Sequence, residues 1–112
     1  MVFGVFDGLD EGHKHFLTEA RKRCDNLFVV VTPDEVVGLL KHKSPLNSYE
    51  DRVWAIKKFM QNAWVVKGDS VPGTWEVIRT HVPEEVYLGH DQHRIGDELF
   101  KMGIPYHFIT KL

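Results

Sequence analysis

The chain has 112 residues, 43% hydrophobic and 27% charged, with a formal net charge of -2. That length makes a single domain over residues 1–112 the expectation, with enough apolar content for a core that needs no disulfide or metal. The slightly acidic balance argues against general nucleic-acid binding, which rests on basic excess, so any anion site must come from a local cluster.

Cys24 is the single cysteine, so no intrachain disulfide can form, which fits a reducing compartment. No apolar run approaches the roughly 20 residues of a membrane helix. No basic segment followed by an apolar run and a small-residue cleavage site opens the chain. The expectation is a cytoplasmic protein with neither membrane nor nucleic acid among its partners.

In chain order, Met1 to Phe6 is a short apolar run bounded by Asp7-Gly8, as in a strand covered on both faces. Gly12 to Cys24 has helical character, with Phe16, Leu17 and Ala20 on one side and its basic end at the helix C-terminus. A strand, a glycine-bearing turn and a helix start place unpaired N–H groups and a helix dipole at one point, which suits an anion. Leu27 to Val31 is the clearest strand. Thr32 is the expected N-cap of a short helix to about Leu40, with Pro33 at its first position. Lys41 to Asn47 is a polar loop, Asn47 or Ser48 is the expected cap of a helix to about Asn62, and Asn47 with Glu50 resembles a capping box.

Ala63 to Val66 reads as a strand, Gly68 to Gly73 as a loop, and Thr74 to His81 as a helix capped by Thr74. A strand over 85–88, a loop at Gly89 to Gln92, a helix over 95–102 stopped by Gly103, and a strand over 105–109 complete the order. Alternating strands and helices predict an α/β fold: a Rossmann-like three-layer α/β/α arrangement around a five-stranded parallel sheet. Ligands of such sheets bind beyond the carboxyl ends of the strands. The loops there are Asp7 to His13, Lys67 to Gly73 and Gly89 to His93.

The run Gly4-Val5-Phe6-Asp7-Gly8-Leu9-Asp10-Glu11-Gly12-His13 resembles the Gly-Thr-Phe-Asp-x-x-His-x-Gly-His segment of the nucleotidyltransferase superfamily. Thr32 to Glu35 resembles the end of that superfamily's second strand, and Lys41-x-Lys43 with Ser48 to Arg52 resembles its cytidylyltransferase branch, leaning to glycerol-3-phosphate cytidylyltransferase. Leu88 to Gln92 resembles the archaeal type of FAD synthetase, an FMN adenylyltransferase. The resemblance implies attack of a small phosphorylated acceptor on the α-phosphate of CTP or ATP, with pyrophosphate leaving and Mg²⁺ accompanying the triphosphate. It implies a catalytic set of His13, Asp10, Lys41 and Lys43, a nucleotide site at Val5, Phe6, Asp7, Gly12, His13, Arg52, Gly89 and Asp91, and a possible homodimer.

The residue types suit that chemistry. Phosphoryl transfer asks mainly for positioning and neutralisation of charge. A histidine at a helix start, lysines on a loop and a planar guanidinium can provide both. The same residues have plainer readings: His13 as a packed ring, Lys41 and Lys43 as solvated charges, Arg52 in a salt bridge, Asp91 as a helix cap, Trp75 as core. His90-x-x-His93 has the spacing of a metal pair but nothing in the sequence to complete it, so no metal site is expected.

Three departures from the family pattern stand out. Asp10 takes the place of the first histidine, where a carboxylate either repels phosphate, holds Mg²⁺ or orients His13. Val5 replaces a threonine. The resemblance implies an Ile-Ser-Ser/Thr-Thr-x-Ile-Arg segment after the last strand, where the sequence reads Ile109-Thr110-Lys111-Leu112. The alternative function is a catalytically degenerate relative that binds a nucleotide or a protein partner without turnover.

Overall fold

The computed structural model describes residues 1–111; Leu112 lies outside the described residues. Ten elements follow in the order β1 (Val2–Gly4), α1 (Glu11–Lys22), β2 (Phe28–Val31), α2 (Asp34–Lys41), α3 (Tyr49–Phe59), β3 (Trp64–Lys67), α4 (Glu76–His81), β4 (Val86–Leu88), α5 (His93–Met102) and β5 (Tyr106–Phe108). The α/β alternation is as expected, and every strand pairing is parallel.

The sheet corrects the expectation. Instead of one five-stranded ladder there are two: β1-β2-β3 and β4-β5. The two meet along β1 and β4, where the Met1 amino group donates to the Glu85 carbonyl at 3.0 Å and the Tyr87 N–H donates to the Met1 carbonyl at 3.0 Å. Two residues further on, the Phe3 carbonyl instead accepts from the Gln92 side chain at 2.8 Å. The ladder is interrupted at its carboxyl end by a side chain.

Strand alternation divides the core between the two faces. Val2, Val29 and Val31 pack with Leu17 and Ala20 of α1 and Ile56 of α3. Met1, Val30, Val86 and Leu88 pack with Val77 and Ile78 of α4 and Leu99 of α5. Helices therefore cover both faces, which explains why the strands read as continuous apolar runs. Cys24 packs at the edge of the first cluster, its thiol Sγ 3.5 Å from the Ala20 carbonyl oxygen, and burial pushes the thiol's pKa up.

Two caps differ from those expected: a tertiary partner claims Thr32 and a local turn claims Thr74. Thr32 does not cap α2: its N–H and hydroxyl both donate to the Gly4 carbonyl, at 3.1 and 3.2 Å, and Pro33 is the N-cap. Of the two expected caps of α3 it is Ser48 that acts, accepting from the Asp51 N–H at 3.2 Å. Thr74 donates to the Val71 carbonyl, leaving Trp75 as the N-cap of α4. Gly103, with φ +72, ends α5 as predicted.

Phe6 turns the chain out of β1 with φ +54, a conformation seldom adopted by side-chain-bearing residues. This turn folds its ring back over Gly4, where an added Cβ would lie 2.7 Å from Phe6 Cε2. Gly4→Ala is therefore expected to displace the buried Phe6 ring and to lower stability by about 1–3 kcal/mol, measured by urea denaturation monitored by far-UV circular dichroism.

Candidate active site

The carboxyl ends of the strands open into a cleft of about 890 Å³. One side is formed by the turn after β1 and the start of α1, with Val5, Phe6, Asp7, Asp10, Gly12 and His13 among its residues. Gly89 and Asp91 from the loop after β4 join them, and Lys41 reaches in from the end of α2. Phe3, Val30, Pro33, Val36, Leu40 and Trp75 give the cleft an apolar part. Trp75 also has a positive φ, +55, and its ring meets Phe3 edge-on with centroids 5.9 Å apart. The indole thus packs against the core and lines the cleft as well.

His13 sits in the first turn of α1, as its sequence position requires. Its backbone N–H donates to Asp10 Oδ1 at 2.9 Å, so Asp10 is the N-cap. Its ring Nδ1 lies 3.2 Å from the Gly8 carbonyl oxygen and 3.1 Å from Asp10 Oδ1. Two acceptors facing Nδ1 require that nitrogen to carry the proton. Nε2 has neither of these partners, and the ring packs edge-on against Phe6 with centroids 5.6 Å apart. The His13 N–H bond to Asp10, then the charge of the His13 ring, holds the Asp10 carboxyl below the ordinary carboxylate range. The residue out of line with the family motif is thus bonded to the residue that matches it.

Arg52 is built under the cleft and is absent from its lining. Its side chain is 0% exposed. Nε donates to the Asn47 carbonyl at 3.2 Å, one terminal nitrogen to the Val5 carbonyl at 2.8 Å, and the other to Asp34 Oδ1 at 2.6 Å. The salt-bridge reading of Arg52 holds, with Asp34 as the partner in place of the expected neighbours on its own helix. Asp7 complements this lock from above: its carboxylate accepts from the Leu46 N–H at 2.7 Å and from the backbone and side chain of Asn47 at 2.9 and 3.0 Å. Those bonds, the Leu46 N–H first, keep its pKa low.

Lys43 also lies outside the lining; it is exposed beyond His42, which ends α2 in a left-handed conformation with φ +58. Asp91 makes no cap bond to α5, whose N-cap is Gln92, so the plain capping reading does not hold. Residues without an assigned role in the sequence complete the picture. His15 Nε2 donates to the Thr110 carbonyl at 2.8 Å, fastening the segment after β5 to α1, and Thr110 and Lys111 both line the cleft. Gln92 lines it too. A histidine two residues from His13 was the one available signal for His15; for Gln92 there was none beyond its place in a matching loop.

Among the described residues no group of three or more His, Cys, Asp or Glu side chains is placed to hold a metal ion. This donor set suits an ion carried on a triphosphate, since Mg²⁺ commonly takes one or two carboxylates together with phosphate oxygens and water. Four carboxylates line the cleft: Asp7 is tied to the Leu46 and Asn47 N–H groups, Asp69 accepts from the Val77 N–H at 3.0 Å and Asp10 from the His13 N–H at 2.9 Å, and Asp91 is the fourth. No helix among the described residues is long and apolar enough to cross a membrane.

The Arg52–Asp34 pair makes a testable stability element. Asp34 is held below its ordinary value of 3.8, chiefly by the hydrogen bond from Arg52. A depressed carboxyl contributes stability above its unfolded pKa and loses it as pH falls through the folded value. Arg52→Ala is therefore expected to lower stability at neutral pH by about 2–3 kcal/mol, leaving the Val5 and Asn47 carbonyls without their donor. It should also flatten the loss of stability below pH about 4; denaturant melts across pH 2–7 measure both.

Comparison with known proteins agrees with this geometry. A family model described as cytidylyltransferase-like matches residues 1–102. An FAD synthase of Thermococcus onnurineus is 39% identical over 107 residues, spanning 90% of this chain and 70% of that protein. A second, from Thermococcus kodakarensis, is 34% identical over 112 residues, 93% of this chain and 72% of that protein. A crystal structure of a lipopolysaccharide core biosynthesis protein from Thermoplasma volcanium superposes with a TM-score of 0.83 at 28% identity, covering 100% of this chain and 95% of the other. The chain belongs to the cytidylyltransferase-like family of nucleotidyltransferases.

Proposed function

We propose that the protein transfers AMP from ATP to the phosphate of FMN, forming FAD and releasing pyrophosphate. The observation that carries this reading is the His13 ring, fixed through Nδ1 at the N-terminal turn of α1 on the wall of the strand-end cleft. An oxygen of the acceptor phosphate attacks the α-phosphorus, and the bond to the bridging oxygen of the leaving pyrophosphate breaks. Charge grows on the phosphoryl oxygens during that exchange. With Nδ1 already protonated, the charged form of the ring gives Nε2 a proton to donate to one of those oxygens. The N–H groups at the start of α1 and the Lys41 ammonium act in the same sense.

Mg²⁺, carried on the triphosphate, would neutralise further charge, with Asp10 or Asp91 as the carboxylate to meet it. Lys43 acts only if its loop folds toward the bound triphosphate. Arg52 acts through the turn it holds and is a positioning residue. The apolar part of the cleft, which includes Trp75 and Phe3, suits a flat aromatic acceptor better than a glycerol phosphate. The FAD synthases among the relatives point the same way.

A second reading is favoured by one observation. Asp10 places a carboxylate at the helix N-terminus, where a phosphate would otherwise sit. In a protein degenerate for that reason, a nucleotide or a protein partner binds without turnover.

Pyrophosphate release with ATP and FMN, against CTP with glycerol 3-phosphate, separates the possibilities. Release with ATP and FMN, and FAD as product, is expected. Nucleotide binding with no release from any pair would establish the degenerate reading. His13→Ala is expected to lower kcat by about 10²–10³-fold. Asp10→His is expected to bring no gain; a large gain in rate would show that Asp10 is a lesion in the site and not an adapted orienting group.

A further inference from the structure

Parallel strands exchange hydrogen bonds at intervals of two residues. Between β1 and β4 the sequence of rungs begins with the Met1 amino group to the Glu85 carbonyl and the Tyr87 N–H to the Met1 carbonyl, both 3.0 Å. The same spacing sets the Gly89 N–H opposite the Phe3 carbonyl as a later rung. That rung is not made directly. The Gly89 N–H donates to Gln92 Oε1 at 2.9 Å, and Gln92 Nε2 donates to the Phe3 carbonyl at 2.8 Å. The amide orientation is fixed by chemistry, since an N–H needs the oxygen and a carbonyl needs the NH₂.

We infer that Gln92 is a positioning residue whose side-chain amide is spliced into the β1–β4 ladder, prising the strand ends apart to open the cleft and fixing the Gly89–Asp91 loop for nucleotide. A direct rung would hold the two backbones about 4.8 Å apart. An inserted amide adds its own width and a second hydrogen bond. The gap opens at the carboxyl ends of the strands, and Phe3, Gly89 and Asp91 around it all line the cleft.

The backbone of Gln92 works with its side chain. Its N–H donates to the Gly89 carbonyl at 3.1 Å, and its carbonyl accepts the Gly96 N–H at 3.2 Å in the first turn of α5. Strand end, loop and helix start are thereby held as one unit. A leucine there would fill similar volume but make neither bond, leaving a carbonyl and an N–H without their partner.

This inference rests on the cleft being a nucleotide site, so the test reads the bridge and its consequence separately. Amide hydrogen exchange at Gly89 reads the bridge. The dissociation constant for a non-hydrolysable ATP analogue reads the consequence, without turnover. Gln92→Leu is expected to lose Gly89 protection and to bind the analogue at least about tenfold more weakly. In Gln92→Glu the ionised carboxylate keeps the acceptor for Gly89 but cannot donate to Phe3, whereas the protonated acid can do both. Its affinity should therefore rise, relative to wild type, as pH falls through the titration of that carboxyl, while it keeps the Gly89 protection that the uncharged Gln92→Leu protein loses.

Wild-type affinity in a folded Gln92→Leu protein, or a Gln92→Glu protein whose affinity tracks wild type at every pH, would overturn the inference. If Gln92→Leu does not fold, the Gln92→Glu pH profile decides. If the wild type itself binds no analogue, the nucleotide reading fails and the role in opening a nucleotide cleft falls with it. Gly89 exchange then shows whether the bridge survives as a purely structural feature.

Discussion

The buried guanidinium of Arg52 is the contact on which the cleft depends. It joins three segments that are distant in sequence: the turn after β1 through Val5, the start of α2 through Asp34, and the approach to α3 through Asn47. Taking such a charge out of water is costly unless each donor finds a partner in good geometry. Here the partners are two carbonyls and a carboxylate, and the carboxylate is still partly open to solvent. Asp7 adds a second clamp on Leu46 and Asn47. With the turn held from below and above, the start of α1 has a fixed place. The positive charge of Arg52 serves this scaffold, while His13, Lys41 and the start of α1 are the groups that line the cleft itself.

Residues around the cleft also carry backbone strain. Phe6 and Trp75, which line the cleft, have positive φ; His42 and Val82, at the ends of α2 and α4, have it too but lie outside the lining. Such conformations cost on the order of 1–3 kcal/mol each and persist where packing over-determines them. For Phe6 the compensation is visible: its ring is 3% exposed, fits over Gly4 and touches His13. For Trp75 it is the contact with Phe3. These two strained residues sit at the strand ends, where an open parallel sheet binds its ligand.

Asp10 shows how a change of charge can be absorbed by a local motif. A carboxylate is a good N-cap, and its favourable interaction with the α1 N-terminus is the one a phosphate would make. It therefore competes with an anion for the helix terminus while setting the proton on Nδ1 of His13. Because the carboxyl is held below its ordinary range, it stays charged across neutral pH. The balance between these effects separates an active enzyme from a binding relative.

The order of strands and helices, the parallel pairing and the three loops at the strand ends were all legible in the sequence, because they follow from local periodicity and turn chemistry. The motif ending in Gly12-His13 was legible as well, and with it the family. Other features depended on partners far away in the chain. Thr32 and Asn47 have good capping side chains, but Gly4 and Asp7 claim them. Arg52 looked available for phosphate until folding set it against Val5, 47 residues away. Gln92 looked like an ordinary loop residue until folding set it against Phe3, 89 residues away, at the place where the two sheets meet. The sequence by itself determined which elements form and what chemistry their loops carry. Only the tertiary structure decided which polar side chains face the cleft and which are used to hold it open, because hydrogen-bonding groups are satisfied by whichever partner the completed fold brings within reach.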